Sequence, residues 1–218
     1  MAQPLRAPFY DEKWPGGPQL VPGRIMCAYY DMGGEGIAYH DSDAVNHGSG
    51  ELNQKGNAAP SQSTGSTPVD ESRLSYLNNF RINEGVDTSY VKYRDGIDNS
   101  PYNLILPEKD MFYVGWTVPG EWLTYTISVL SSGRYGVELL YTSYSGGKIA
   151  LEIDGTAVSC DIISTYSADD PIDWRQWHHW NKQPVGEFTL TKGLHVLTLT
   201  TVEQGNMNYG YLEFKSLT

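Results

Sequence analysis

Residues 111–130, MFYVGWTVPGEWLTYTISVL, carry the pattern that decides the fold. From Leu123 the side chains alternate: Leu123, Tyr125, Ile127 and Val129 fall on one face of an extended chain, and Thr124, Thr126 and Ser128 on the other. Neighbouring side chains of a strand point to opposite faces, so this is a strand with one apolar side. The pattern continues downstream. GRYGVELLYTSYSGGKIALEIDG, residues 133–155, reads as a hairpin turning at Ser145–Gly147. Ile149, Leu151 and Ile153 point inward, and Asp154–Gly155 makes the next turn. EFTLTKGLHVLTLTTVEQGNMNYGYLEFKSLT, residues 187–218, supplies three further strands, broken at Lys192–Gly193 and Gln204–Gly205. No amphipathic helical period stands out. Regularly spaced strands with turn signals predict an all-β protein, an antiparallel β-sandwich.

Upstream the pattern loosens. Residues 1–20, with Pro4, Pro8, Pro15 and Pro18, read as an extended arm or linker, leaving residues 21–218 for the sandwich. VPGRIMCAYYD (21–31) starts a strand with Ile25, Cys27 and Tyr29 on one face, and DMGGEGIAYHDSD (31–43) is a glycine-rich turn followed by a short strand. From Ala44 to Asn79 the chain is rich in Gly, Ser, Asn and Pro, which predicts a long surface loop inserted in the domain.

Composition excludes several functions. The formal charge of −11 repels phosphate backbones, so no nucleic-acid partner is expected, and no polybasic membrane anchor is present. No apolar run approaches the roughly 20 residues of a spanning helix, so no membrane insertion is expected. The 16 tyrosines suit either a wet aromatic binding surface or simply good strand formers. Cys27 and Cys160 are too few for a disulfide framework and read as free, buried thiols.

The ordered set PGRI, YYDMGGEGIAYHDSD, EGVD, YVGWTVPGEWLTYTI, LEIDG, a W..W pair, LTKGLHVLTL and GNMNYGYLEF resembles the family 6 carbohydrate-binding modules and the related family 35. The resemblance covers residues 21–216, with an expanded segment near 47–79. It implies a jelly-roll-like, galactose-binding-like sandwich without catalytic residues, accessory to a linked or associated glycoside hydrolase domain. It also implies a secreted, periplasmic or cell-surface location, and a polysaccharide or oligosaccharide ligand held by aromatic stacking and side-chain hydrogen bonds. Matched to the family's loop-end cleft, the W..W pair falls on Trp177 and Trp180, the C-terminal asparagine on Asn208, and the aromatic of the glycine-rich loop on Tyr39, with His40 and Asp41 beside it. The family's structural calcium needs carboxylates where this chain has Met26, Ala28 and Gly210, so no metal and no other cofactor is expected.

DWRQWHHWNK, residues 173–182, is the densest aromatic stretch. In a strand, His178 and His179 would face opposite ways, which argues against a shared metal. Trp174 and Trp180 would share one face and Trp177 the other, so the stretch would divide between core and platform. Arg175 and Gln176 are candidates for a polar rim. Trp116 and Trp122, in or beside regular strands, read as packing residues. Two other functions stay open: a glycoside hydrolase or lyase using residues 44–110 as an active-site wall and loop carboxylates such as Asp41, Glu51, Asp170 or Glu203, or a structural module packing on a catalytic partner.

Overall fold

The computed structural model describes residues 5–48, 71–93 and 96–217. Among these, twelve strands form two sheets. The strands are β1 (Gln19–Val21), β2 (Gly23–Met26), β3 (Tyr39–His40), β4 (Thr88–Tyr90), β5 (Phe112–Val114), β6 (Trp122–Val129), β7 (Gly133–Ser143), β8 (Gly147–Ile153), β9 (Thr156–Ile162), β10 (Asn181–Leu190), β11 (Gly193–Glu203) and β12 (Met207–Leu217). One sheet has the order β1-β6-β11-β8-β9, with β3 also paired to β6. The other runs β10-β7-β12-β5-β4, with β2 also on β12. The pairings are antiparallel apart from β1 on β6. The sheets pack face to face as a β-sandwich. Leu123, Tyr125, Ile127, Val129, Ile149, Leu151 and Ile153 of the first sheet meet Val137, Leu139, Tyr141, Leu212 and Phe214 of the second, all buried in one core. Enclosing each such side chain contributes about 1.5–3 kcal/mol before chain entropy is counted.

Residues 133–155 do not form a hairpin. β7 pairs with β10 and β12, and β8 with β9 and β11, so Tyr144–Gly146 carries the chain from one sheet to the other. Alternation sets which face of a strand is apolar but not which strand lies beside it. The true hairpin is β8–β9, closed by Asp154 and Gly155 at φ of 48° and 83°. That is the left-handed pair a two-residue turn needs.

The strand expected over residues 21–31 stops with β2 at Met26, and Cys27–Tyr29 forms a 3-10 turn. The proline-rich segment lies along the sandwich instead of leading away from it. Phe9 is buried and stacks on Tyr29 at 4.8 Å, and Ala7 and Met32 exchange backbone hydrogen bonds. The predicted loop of residues 44–79 contains a helix, α1 (Glu71–Asn79). Its apolar face is thin, resting on Leu77 and the following Phe80, which stacks on Phe112 at 3.8 Å. So narrow a stripe leaves no period to read. The rest of that loop from residue 49 to 70, including Glu51, lies outside the described residues. Cys27 and Cys160 are free thiols; burial pushes Cys27 up to about 12, whereas Cys160 is only half-buried.

Candidate functional site: an aromatic cleft

Where β5 ends and β12 begins, a cleft of about 270 Å³ is lined by Tyr113, Trp116, Trp174, Trp177, His178, Asn206 and Asn208. Its wall is the stretch expected as a strand. Asp173–His178 is instead a 3-10 helix. Side chains three apart eclipse in that geometry, so Trp174 and Trp177 come to the same cleft, where a strand would have separated them. The far face of Trp177 is covered by Tyr144, stacked at 4.8 Å and 17°.

The helix is held by its own polar residues. Asp170 is enclosed and accepts Arg175 Nε and Nη2, both at 2.7 Å, and contacts His179 Nε2 at 2.8 Å. The Arg175 guanidinium holds the Asp170 carboxyl well below the usual carboxylate range. Gln176 is buried, donates to the carbonyls of Ser167 and Asp170, and accepts from Ser167 N. Arg175 and Gln176 therefore brace the wall and do not form its rim.

The opposite side is Trp116, about a third exposed. It was expected as packing, but it sits at φ 49°. A bulky residue rarely adopts that left-handed region, and strain of this kind costs about 1–3 kcal/mol. Gly48 leaves its ring room: a Cβ there would lie 3.1 Å from Trp116 Cζ3. Asn206, also left-handed at φ 51°, lines the same cleft. Asn208 donates from Nδ2 to the carbonyl of Trp177 at 2.8 Å. A Cβ on Gly115 would come within 2.6 Å of Asn208 Oδ1, so this approach requires glycine.

The other expected site residues lie elsewhere. Trp180 is fully enclosed among Val91, Met111, Tyr113, Leu140 and Tyr211, and its indole Nε1 donates to Asp98 at 2.8 Å. Neither ring face is open, so it belongs to the core. Tyr39 is buried with its ring edge-on to Tyr30, and its hydroxyl accepts a 3.4 Å bond from Gly85 N. His40 is exposed and pairs through Nδ1 with Glu35 at 2.6 Å, which raises its pKa. Asp41 and His40 line a narrow crevice with Glu121 and Trp122 that shares no lining residue with the tryptophan cleft. Burial, with the charges of Glu121, Asp87 and Asp43 adding to it, pushes Asp41 up to about 7. Asp87 is raised to about 6, again by burial first. Of the expected set, only Trp177 and Asn208 line the cleft. Tyr113, Trp116, Trp174, His178 and Asn206 complete it.

The calcium positions do not suit a hard cation. Ala28 is fully buried, Met26 packs on the Trp180 cluster, and a Cβ on Gly210 would meet Met111, Leu140 and Trp180. These groups offer carbon and sulfur where calcium needs several oxygens.

No protein-family profile matches the chain, and no curated protein matches it. Solved structures do. A β-1,3-glucan-binding family 6 carbohydrate-binding module from Bacillus halodurans aligns over 92% of this chain and 100% of its own, at 12% identity and a TM-score of 0.49. A family 6 module of Cellvibrio mixtus lichenase 5A, in complex with cellotriose, aligns over 62% of this chain and 88% of its own, at 18% identity and a TM-score of 0.44. A family 35 module from Clostridium thermocellum aligns over 53% and 84%, at 22% identity and a TM-score of 0.41. The solved structures similar to this chain thus include carbohydrate-binding modules of families 6 and 35, the two that its sequence resembles.

Proposed function

We propose that this chain is a non-catalytic carbohydrate-binding module whose ligand sits between Trp116 and the Trp174–Trp177 wall. The observation that carries the reading is Trp116, a bulky side chain left exposed on a left-handed backbone at the mouth of a cleft with two more indoles. About a third of the ring is open at the cleft, and strained backbone of this kind clusters at binding sites. Sugars offer CH-rich faces to flat aromatics and a rim of hydroxyls to amides and imidazoles, and Asn206, Asn208 and His178 supply that rim.

Glycoside hydrolysis needs a pair of carboxylates across the cleft, and its lining among the described residues contains none. Asp170, a carboxylate near the wall, is committed to Arg175 and His179. A purely structural module would enclose both members of the W..W pair. Trp180 is enclosed, but Trp177 lines the cleft.

The physiological role that follows is to hold a secreted or cell-surface glycan-degrading enzyme at its substrate, by raising effective concentration. Affinity for a few sugar units should be modest, since small polar ligands release little apolar surface. Calorimetry with cello-, laminari-, xylo- and manno-tetraose tests this. Binding to at least one, lost in Trp116→Ala and Trp174→Ala, supports the reading. No binding to any, or new reducing ends on incubation with the polysaccharides, overturns it.

A further inference from the structure

The imidazole of His178 in the cleft is not free to choose its orientation. His178 lines the cleft with about a fifth of its side chain exposed, and its Nδ1 lies 2.9 Å from Asp98 Oδ1. Asp98 is wholly enclosed. Its other partners are obligate donors: the Trp180 indole gives Nε1–H to Oδ1 at 2.8 Å, and the Lys92 backbone N–H reaches Oδ2 at 2.7 Å. The loop carrying it is pinned as well. Asp98 N donates to Lys92 O at 3.0 Å, and Asn103 Nδ2 donates to Asp98 O at 2.6 Å. A carboxylate surrounded by donors acts as the acceptor, so the imidazole brings its proton on Nδ1. In a neutral ring that leaves Nε2 with a bare lone pair. Nε2 has no hydrogen-bond partner among the described residues. Asn208 is held in the same sense: one of its two amide hydrogens goes to Trp177 O, and Oδ1 has no hydrogen-bond partner among the described residues.

We propose that Asp98 is a positioning residue that turns His178 so that Nε2 enters the cleft as a hydrogen-bond acceptor, to be met there by a donating sugar hydroxyl. This rests on the carbohydrate reading of the cleft. Together Nε2 and Asn208 Oδ1 make a floor of fixed acceptors. It selects a sugar with free hydroxyls at those points, because an analogue without the hydroxyl leaves a desolvated acceptor unpaired.

The test starts with the free protein, 15N-labelled, near pH 8 where an ordinary imidazole is neutral. Long-range proton–nitrogen correlation reads which ring nitrogen carries the proton. The expected result is Nδ1–H on His178, with the Nε2 signal shifting when cello-, laminari-, xylo- or manno-tetraose binds. His178→Phe, which keeps a flat ring and loses the acceptor, should bind that tetraose about 10-fold more weakly, one lost hydrogen bond. His178→Gln, which can still accept, should recover part of the loss. A proton found on Nε2, or a His178→Phe protein that binds like the parent, overturns the proposal even if sugar binds well. Nδ1–H with no tetraose bound overturns the hydroxyl partner together with the carbohydrate reading, and leaves the positioning of the ring by Asp98 standing.

Discussion

The Asn208 side-chain amide donates to the Trp177 backbone carbonyl over 2.8 Å, joining the start of strand β12 to the 3-10 helix. Thr142 Oγ1 donates to the same carbonyl at 2.7 Å, so the aromatic wall hangs on two neighbouring strands of one sheet. Replacing Asn208 by Ala removes one bond and one polar group of the cleft floor. We expect a stability loss of about 1 kcal/mol by chemical denaturation and a fall in tetraose affinity of about 10-fold or more by calorimetry.

Trp116→Gly should separate stability from binding. Glycine adopts φ 49° without strain, but the buried two-thirds of the indole is lost with it. Relief of the strain offsets part of the packing lost, so the melting temperature should change little, while affinity falls at least about 10-fold, as for loss of an aromatic stacking partner. A protein that melts well below the parent would show that Trp116 is needed for packing.

Trp180→Ala should behave in the opposite way. The indole is enclosed and holds Asp98, so truncation leaves a cavity and a carboxylate short of a donor. A destabilisation of about 3–5 kcal/mol is expected in urea unfolding. Trp174→Ala, on a side chain about half exposed, should cost well under that amount while still weakening sugar binding.

Asp41 and Asp87 give stability a pH slope. Their carboxyls are raised to about 7 and about 6 in the folded chain, chiefly by burial. The folded state therefore holds these protons more tightly than the unfolded chain does. The contribution is full below the ordinary carboxyl value of about 3.9 and is lost as pH rises through the folded values. Melting temperature should fall from about pH 4 to pH 7 on this account. Asp41→Asn should flatten the curve. An equally steep curve in Asp41→Asn and Asp87→Asn would show that these groups do not set it.

Calcium should be without effect on stability. Met26, Ala28 and Gly210 present no oxygen side chains, and Gly210 faces Met111, Leu140 and Trp180. A ligand that stabilises must bind the folded state, so the melting temperature in EDTA and in excess calcium should agree within about 1 °C. A clear rise with calcium would place a site among oxygens other than those positions.

Most of the framework was legible along the chain. The alternation at Leu123–Val129 and Ile149–Ile153 marks the strands and their inner faces, because strand periodicity is local and each apolar face must be buried. The turn at Asp154–Gly155 was legible for the same reason, since two residues set its geometry. The region 173–182 was legible as the place where aromatics gather, but not which of them face out. That depended on a helical instead of an extended backbone, and the choice is made by Asp170, Arg175 and Gln176 bonding within the turn. Trp180 is enclosed by Val91, Met111, Tyr113, Leu140 and Tyr211, and Asp98, more than eighty positions earlier, takes its indole hydrogen. Trp116 is about a third exposed and sits on a left-handed backbone, which no periodicity records. The sheet that β8 joins is likewise a matter of partners distant in the chain. The sequence by itself determined strands, inward faces and an acidic, tryptophan-rich sandwich. Only the tertiary structure decided which aromatics form the cleft, because enclosure and exposure depend on neighbours brought together from separate parts of the chain.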